Sequence, residues 1–304
     1  MIPEKRIEKV HFQITKLCNL RCPFCGQWGE HGFFACANGT PLAFEEWIKL
    51  ARQLDEKLSQ KPTIILWGGE PLFSPFFDKL AESLFDMGFR LEIITNGTMI
   101  NEHIEVIRRC INKVYVSIDG LKELHDSIRG EGVFDKVTSN LKLLEKEKVR
   151  IMTVATPNLE IEDFAQYFKD YRILLQTLIA LNDEEIRLYK EWMKNSFDIT
   201  ATEIDSWAGA GYTPETANLP ENVTFIPHGN AETFCLSAYR HIHIAWNGNL
   251  LYCTDFYDFS AGNIRENSIE ELFNNEMSEK YRQEICKGNC PTCNHCSWKN
   301  NFEL

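Results

Sequence analysis

The amino-acid sequence predicts an α/β protein: a partial (β/α) TIM-type barrel of parallel strands, followed by a small cysteine-rich appendage built from a β-hairpin and a helix. Two observations predict this fold. Short apolar or alternating segments take turns with longer segments of helical periodicity, which is typical of a parallel sheet. Nine of the eleven cysteines fall into two groups, three near the start and six after residue 234. The second group predicts a metal-binding unit beside the barrel.

The alternation of strands and helices is clearest in the first 170 residues. Strands are predicted at Val10–Thr15, Thr63–Trp67, Arg90–Thr95, Lys113–Ile118 and Arg150–Thr156. Helices are predicted at Phe44–Leu58, Phe76–Met87, Glu102–Cys110, Val133–Lys148 and Ile161–Tyr171. In barrels of this type reactive groups gather at the carboxyl ends of the strands.

The pattern becomes weaker after Arg172. A helix is expected over Asp183–Ser196, and the last barrel strand over Asp198–Trp207. Gly209–Pro227 contains three prolines and several small residues, so we expect it to lead out of the barrel. The predicted domains are a barrel over 1–208, a linker over 209–233 and an appendage over 234–304.

The composition limits the partners of this protein. A formal net charge of −12 argues against a nucleic-acid-binding surface, because phosphate binding relies on clustered Lys and Arg. The chain lacks a run of about 18 uncharged apolar residues and an N-terminal secretory signal. We therefore expect a cytoplasmic protein that binds neither nucleic acid nor membrane. In a reducing compartment its cysteines are better suited to metal or catalytic roles than to disulfides.

Cys18, Cys22 and Cys25 form a compact triplet directly after the first predicted strand. Three thiolates on one loop can hold three irons of a four-iron, four-sulfur (4Fe-4S) cluster, which leaves the fourth iron without a protein ligand. An iron without a protein ligand can bind a reactant. A structural cluster or a zinc site needs a fourth ligand nearby. His31 and Cys36 are the local candidates, and neither has a customary spacing.

The triplet, with an aromatic residue before its third cysteine, resembles the signature of the radical S-adenosylmethionine (SAM) superfamily. Three further motifs of that family follow in the right order, Trp67-Gly68-Gly69-Glu70-Pro71, Thr95-Asn96-Gly97 and Ser117-Ile118-Asp119-Gly120. The resemblance implies a (β/α)6 barrel. It also implies that SAM binds the open iron, and that electron transfer from the reduced cluster cleaves SAM to a 5′-deoxyadenosyl radical.

The resemblance also implies a SAM pocket. Glu70 can accept a hydrogen bond from the SAM amine, and Gly68 and Gly69 allow the backbone to approach the ligand closely. The other residues that the resemblance places near SAM are Phe24, Asn96, Ser117, Asp119 and Arg129. Structural interpretations stay open for four of these: strand-end turns for the asparagine and the aspartate, a surface ion pair for the arginine, and barrel packing for the phenylalanine.

The C-terminal cysteines begin with a hairpin. Asn247-Gly248 lies between alternating apolar segments, which is a strong hairpin signal, so Cys235 and Cys253 are expected to flank a β-hairpin and to converge on one metal site. This arrangement resembles the twitch or SPASM appendage of radical SAM enzymes. There a cysteine, a Gly-x4-Cys hairpin and a later Cys-x2-Cys pair bind an auxiliary 4Fe-4S cluster.

The later pair has two possible assignments. Cys290 and Cys293 match it best, and Cys293 and Cys296 are the alternative. We expect one auxiliary cluster, which leaves Cys286 and Cys296 over as spare thiols, substitute ligands or hydrogen-atom donors to a substrate radical. A zinc site formed by the last four cysteines is a further alternative, although it leaves Cys235 and Cys253 unexplained.

Two classes of substrate are compatible with such an enzyme. Many relatives modify ribosomally made peptides, and others oxidise a small molecule such as an aminosugar alcohol. Seventeen residues precede Cys18, which counts against a leader-dependent peptide. We expect peptide modification, with the auxiliary cluster accepting an electron and a flavodoxin or ferredoxin supplying one. A non-catalytic iron-sulfur protein is the alternative of another class, and the open iron and the Gly68–Pro71 motif count against it.

Several residues in the second half could contact a substrate, Trp207, Tyr212, His228, His241 and His243. Because His241 and His243 alternate along a predicted strand, they could equally face solvent.

Overall fold

A computed structural model describes residues 4–28, 39–177, 183–200, 218–226, 235, 237–253 and 258–288. Its nine strands form one sheet. They are β1 (Lys9–Thr15), β2 (Thr63–Gly68), β3 (Leu91–Thr95), β4 (Lys113–Ser117), β5 (Val149–Val154), β6 (Arg172–Gln176), β7 (Val223–Ile226), β8 (His241–Ile244) and β9 (Leu250–Leu251). The spatial order is β7-β6-β5-β4-β3-β2-β1-β8-β9. All neighbours are parallel except β8 and β9, which are antiparallel.

Helices connect the strands and continue into the C-terminal region. They are α1 (Phe44–Lys57), α2 (Phe77–Asp86), α3 (Ile104–Cys110), α4 (Lys122–Arg129), α5 (Val133–Leu141), α6 (Ile161–Tyr167), α7 (Asp183–Phe197), α8 (Ser237–Arg240), α9 (Ile269–Asn274) and α10 (Glu276–Cys286). No helix among these described residues is long and apolar enough to cross a bilayer.

The two faces of β1 show how the barrel is built. Val10, Phe12 and Ile14 are buried in the main core, and the Phe12 ring lies 4.8 Å from that of Trp47 on α1. These alternate residues therefore face the helices, and the residues between them, such as His11, face the concave side of the sheet. We call that side the lumen. Burying each large apolar side chain stabilises the fold by about 1.5–3 kcal/mol.

The five strands predicted before residue 170 are confirmed, with small shifts at their ends. The sixth strand is expected at Asp198–Trp207, but the structure places it at Arg172–Gln176. Of the expected segment only residues 198–200 are described, and none of them is in a strand. Arg172–Gln176 contains only three consecutive apolar residues, which do not distinguish a strand from part of a helix by periodicity, so this strand is not predicted from the sequence.

Three other elements differ from the prediction. Val223–Ile226, within the expected linker, pairs with β6 as a seventh parallel strand. The helix Lys122–Arg129 is not predicted, and the helix expected over Val133–Lys148 ends at Leu141. The short polar sequence of Lys122–Arg129 has too few apolar positions to reveal its helical period.

The predicted hairpin is confirmed, and it is part of the barrel sheet. Gly248 has φ +94° in the turn, and its amide donates to the carbonyl of Ala245 at 2.9 Å. Strand β8 then pairs in parallel with β1, from Lys9 opposite His241 to Phe12 opposite Ile244. The first strand of the chain is therefore bound on one edge by β2 and on the other by the C-terminal hairpin.

Candidate active site

The loop that carries the first three cysteines packs against the glycine turn after β2. The amide of Gly69 donates to the Thr15 carbonyl at 3.0 Å, and the amide of Glu70 donates to the Leu17 carbonyl at 2.8 Å. A Cβ atom on Gly69 would lie 2.3 Å from the Leu17 carbonyl oxygen. The glycine pair is thus required by the cysteine loop itself.

The three thiols fit the donor set of a cluster. Cys22 is buried, and the other two are partly buried. Backbone amides point at the sulfurs: that of Leu20 donates to Cys18 Sγ and that of Trp28 to Cys25 Sγ, each at 3.4 Å. Such amides stabilise thiolate sulfurs. No group of three His, Cys, Asp or Glu side chains in the described part of the chain is arranged to hold a single metal ion.

Burial determines the protonation state of Cys18 and Cys22 when no metal is bound. It raises the pKa of Cys18 to about 11 and also raises the pKa of Cys22, where the nearby Arg129 opposes it. Both thiols are therefore protonated at neutral pH, and loading with iron releases protons.

Glu70 is fully buried and joins the ends of two strands. Its Oε1 accepts from the Thr95 hydroxyl at 2.6 Å and from the Leu72 amide at 3.1 Å, and its Oε2 accepts from the Asn96 amide at 2.7 Å. Burial raises the pKa of Glu70 to about 7 despite these three donors. A carboxylate offers about four acceptor positions, so three donors leave one position unused.

Asn96 links this turn to the cysteine loop. Its side-chain amide donates to Asn19 Oδ1 at 2.8 Å and lies 3.9 Å from Cys18 Sγ. Asn19 in turn donates to the Thr98 hydroxyl at 2.9 Å. Sequence reasoning missed Asn19 and Thr98, and it named Thr95 only as part of a motif, without a role. The only signal for Asn19 and Thr98 is that they lie within two residues of Cys18 and Asn96.

Asp119 and Arg129 form a buried ion pair beside the cysteine loop. Arg129 Nε donates to Asp119 Oδ2 at 2.6 Å, and the Val154 amide donates to Asp119 Oδ1 at 3.3 Å. The guanidinium carbon lies 6.0 Å from the centre of the Phe24 ring. Although burial disfavours its charge, the neighbouring Asp119 and Cys22 raise the pKa of Arg129. The alternative of a surface ion pair is therefore wrong for Arg129.

The residues predicted for the SAM pocket all lie at one edge of the sheet. Glu70, Asn96 and Asp119 follow the carboxyl ends of β2, β3 and β4, and Ser117 is the last residue of β4. Phe24 and Arg129 complete the group beside the loop after β1. This edge is where barrels of parallel strands place their active sites.

The C-terminal cysteines are only partly described. Cys235 and Cys253 are partly buried and Cys286 is exposed, whereas Cys290, Cys293 and Cys296 lie outside the described residues. Trp207, Tyr212, His228, His31 and Cys36 lie outside them too. The Tyr239 hydroxyl and Cys286 Sγ are hydrogen-bonded at 3.0 Å.

A buried arginine holds the elements around Cys253 together. Arg282 Nη2 donates to the Tyr252 hydroxyl at 2.9 Å and to the Phe273 carbonyl at 2.8 Å, while its Nε donates to the Ala238 carbonyl at 2.8 Å. This single side chain therefore joins α8, α10, the end of α9 and the residue before Cys253.

Cys235 and Cys253 lie at the opposite end of the barrel strands from the Cys18 loop. The amides of Arg6 and Glu8 donate to the carbonyls of Tyr239 and Arg240, so α8 lies at the amino end of β1. Strand β9 runs back toward that end, and Ser237 Oγ donates to the Tyr252 carbonyl at 3.4 Å. The hairpin cysteines are therefore at the amino end, and the Cys18 loop is at the carboxyl end.

Three histidines line the lumen between these ends. His241 and His243 are buried, so the alternative that they face solvent is wrong. The His243 ring lies 4.1 Å from that of His11 on β1. Burial lowers the pKa of His241 to about 4 and that of His243 to about 3, and it also lowers the pKa of His11. All three rings are neutral at pH 7.

Comparison with known proteins identifies the class of enzyme. The fold and the two cysteine groups define an iron-sulfur enzyme built on a partial barrel. The model of the radical SAM superfamily matches residues 12–171, and that of an iron-sulfur cluster-binding domain, SPASM, matches residues 235–297. The chain belongs to the radical SAM superfamily. Its radical SAM domain binds SAM and a 4Fe-4S cluster, and its SPASM domain binds auxiliary iron-sulfur.

Individual relatives are distant but cover almost the whole chain. A cysteine-type anaerobic sulfatase-maturating enzyme of Clostridium novyi is 24% identical, over 92% of this chain and 82% of the relative. An AdoMet-dependent heme synthase of Methanosarcina barkeri is 26% identical, over 94% and 88%. The crystal structure of Streptococcus suis SuiB bound to its precursor peptide SuiA superposes with a TM-score of 0.61 at 17% identity, covering 95% of this chain and 71% of SuiB.

Replacing Gly69 with alanine is expected to remove most of the iron bound by the first loop. The added methyl group would overlap the Leu17 carbonyl oxygen, so the loop that carries Cys18 has to move. Iron and sulfide content of the anaerobically reconstituted protein measures the effect. Gly132→Ala is the control for backbone strain without a clash, because Gly132 has φ +77° but a Cβ there meets nothing within 4 Å. Equal iron content in the two variants would contradict this account of the turn.

Lowering the pH from 6 to 5 is expected to destabilise the protein by about 1 kcal/mol for each lumen histidine. The folded protein keeps these rings neutral, with folded-state pKa values of about 4 and about 3 for His241 and His243. The unfolded chain binds protons below about pH 6.5. The contribution of the neutral histidines to the free energy of unfolding is therefore complete above about pH 6.5 and is lost as the pH falls. Between pH 6 and pH 5, the apparent melting temperature of the anaerobic holoprotein should fall less for His243→Phe than for the parent protein. An equal fall in both would count against a buried, neutral His243.

Proposed function

We propose that this radical SAM enzyme abstracts a hydrogen atom from a peptide substrate and so modifies that peptide, with an auxiliary 4Fe-4S cluster assisting the oxidation. The observation that carries the proposal is the position of the described hairpin cysteines relative to the first loop. Cys235 and Cys253 lie at the amino end of the paired strands β1 and β8 and Cys18 at the carboxyl end, so a substrate in the lumen lies between them. A peptide substrate is supported by the sulfatase-maturating relative and by the peptide-bound SuiB structure.

The residues of this chain have separate roles in the proposal. Cys18, Cys22 and Cys25 hold the first cluster, and the auxiliary cluster is held by Cys235, Cys253, Cys290 and Cys293. When bound, the reduced first cluster and SAM supply a 5′-deoxyadenosyl radical, and the auxiliary cluster takes up an electron from the substrate. A flavodoxin or ferredoxin is the proposed electron donor.

The buried polar residues orient SAM. Glu70 accepts from the SAM amine with its remaining acceptor position, while its other bonds fix the ends of β2 and β3. Asn96 positions the cysteine loop through Asn19 and is therefore a positioning residue as well as a pocket residue. Phe24 and Arg129 enclose the adenosine side, with Asp119 fixing the guanidinium and Ser117 at the adjacent strand end.

Cys286, which is hydrogen-bonded to Tyr239, is the proposed hydrogen-atom donor for the redox-neutral alternative, in which the substrate radical takes a hydrogen atom from the thiol instead of giving an electron to the auxiliary cluster. The flavodoxin or ferredoxin would then supply the electron that, with a proton, restores the thiyl radical to the thiol. Cys296 is the other proposed donor. The C-terminal site is the part of the enzyme in which such a thiol would act, at the amino end of the barrel.

A second candidate function is oxidation of a small molecule. It is favoured by the similarity to an AdoMet-dependent heme synthase, which covers 94% of this chain. The reaction class is the same, and the two proposals differ only in what occupies the lumen.

Deuterium transfer tests the proposed function. Reduced, reconstituted enzyme is incubated with SAM and deuterated candidate substrates, and 5′-deoxyadenosine is analysed by mass spectrometry. Deuterium from a peptide supports peptide modification. Deuterium from an aminosugar alcohol or a porphyrin, with none from peptides, overturns it in favour of the second candidate. Failure to cleave SAM at all would overturn both.

A further inference from the structure

Three aromatic side chains form one patch on the lumen wall. His11 on β1 is directly opposite His243 on β8, and their ring centres are 4.1 Å apart. The Trp67 ring on β2 lies 6.4 Å from His11 and 6.3 Å from His243, edge-on to both. Three neighbouring strands therefore present polar aromatic rings that meet in the lumen, with Trp67 opposite Gln13, two residues farther along β1 than His11. We call the three aromatic residues the lumen triad.

Each residue of the lumen triad has a buried nitrogen that lacks a hydrogen-bond partner among the described residues. These atoms are Nδ1 of His11, Nδ1 of His243 and Nε1 of Trp67. The residues are only 7%, 5% and 8% exposed. A buried polar group without a partner costs about 1–3 kcal/mol, and such groups are rare in folded proteins. Three of them on one patch indicate a site that a bound group completes.

The chemistry of the triad limits what that group is. Burial lowers the pKa of both histidines, so the rings are neutral at pH 7 and each Nδ1 either donates or accepts one hydrogen bond. Trp67 Nε1 only donates. The bound group must therefore accept a hydrogen bond from Trp67, and it can both donate to and accept from the imidazoles.

The acidic side chain nearest the triad in the lumen already has its own partners. Glu92 is in register with Ile65 and therefore with His11, and it accepts from the Tyr115 hydroxyl at 3.2 Å and lies 4.0 Å from Lys113 Nζ. A second buried charge beside the triad would need a partner of its own, and an uncompensated buried charge is very unfavourable. The triad is thus matched to an uncharged group.

We propose that His11, His243 and Trp67 form a substrate subsite in the barrel lumen that binds an uncharged group able both to donate and to accept hydrogen bonds. An amide of a peptide and a hydroxyl of a sugar-type alcohol share this chemistry. The inference rests on the proposed function in placing the substrate in the lumen, and it identifies which residues decide the class of substrate.

The position of the subsite suits this role. Trp67 directly precedes Gly68 of the turn that supports the Cys18 loop, so the triad lies one layer below the SAM pocket. A substrate held there has its neighbouring atoms close to the place where the radical is made. Binding energy at such a site positions the substrate for reaction.

Two uncharged probes test the subsite without turnover. Anaerobic holoenzyme containing isotope-labelled histidine is titrated with N-acetylglycine N-methylamide, which offers only amides, and with myo-inositol, which offers only hydroxyls. The expected result is a saturable shift of the His11 and His243 ring-nitrogen signals with one of them. A shift with the amide identifies a peptide-type substrate, and a shift with the polyol identifies a sugar-type substrate.

Substitutions then show which residues bind the probe. His11→Phe, His243→Phe and Trp67→Phe should each weaken binding about tenfold, since each removes one hydrogen bond. His103→Phe is the control, because that ring pairs with Asp78 away from the lumen, and it should leave the affinity unchanged. Only variants with the iron content of the parent protein are compared.

Two results would overturn the inference. If neither probe shifts the two histidine signals, ordered water satisfies the three nitrogens and the triad is structural. If only acetate, used as a charged probe, shifts them, the site binds anions. Neither result depends on the deuterium-transfer experiment. Peptide modification can therefore fail while an amide subsite is present, and the subsite can fail while peptides are modified.

Discussion

The variant with Cys18, Cys22 and Cys25 all replaced by alanine is expected to lose SAM cleavage completely and yet to keep about one iron-sulfur cluster. Iron content should fall by about four per chain, because each cluster of this type contains four irons. The remaining iron is expected at the C-terminal cysteines, of which Cys235 and Cys253 lie at the amino end of β1 and β8. Anaerobic iron and sulfide quantification with paramagnetic resonance measures both effects.

Cys110→Ala is the control for this experiment. Cys110 is buried on α3, apart from both cysteine groups, so its removal should change neither iron content nor SAM cleavage. If the triple variant retains zinc and no cluster, the C-terminal cysteines are structural. The proposed assistance of an auxiliary cluster would then be wrong, and a redox-neutral reaction at the first cluster would replace it.

Arg129→Ala is expected to destabilise the protein by about 3–5 kcal/mol, because it leaves Asp119 as a buried charge without its partner. The two side chains are only 10% and 1% exposed, and they meet at 2.6 Å. The loss should appear in anaerobic urea unfolding as a lower midpoint. It should be accompanied by weaker SAM binding, since the same guanidinium lies beside Phe24 and Cys22.

Arg109→Ala is the control for Arg129→Ala, because it removes an ion pair of the same length that is exposed rather than buried. Arg109 meets Glu82 at the same 2.6 Å, but the side chains are 56% and 40% exposed. Exposed pairs contribute about 0–1 kcal/mol, so this variant should unfold almost like the parent protein. A loss for Arg129→Ala no greater than that for Arg109→Ala would show that Asp119 is solvated or otherwise compensated.

The elements that periodicity could predict are those with long apolar faces. Strand β1 alternates over seven residues and α1 has a clear apolar stripe, and both are confirmed. Strand β6 is as long as the confirmed β3 and β4, but Ile173, Leu174 and Leu175 follow one another without alternation, and β7 has only four residues and follows prolines that indicate a loop. What identifies them as strands is pairing with β5 and with each other, which only the folded chain provides.

The candidate site also contains residues that the sequence could predict and contacts that it could not. The resemblance to the radical SAM motifs predicted Glu70, Asn96 and Asp119, and all three lie at the same edge of the sheet. The sequence could not indicate that Gly69 is required by the Leu17 carbonyl, or that Asn19 bonds to Thr98, 79 residues away. These contacts depend on distances between segments, for which a single sequence carries no pattern.

The pairing of β1 with β8 has a consequence for how the chain folds during synthesis. Lys9 lies opposite His241, 232 residues later. At about 5–20 residues per second, a ribosome needs roughly 12 to 46 s to make the intervening chain. Throughout that time β1 has an open strand edge, which is a template for aggregation. The nascent protein is therefore most vulnerable just before its last hairpin emerges, and a chaperone that covers the edge of β1 would raise the yield of folded enzyme.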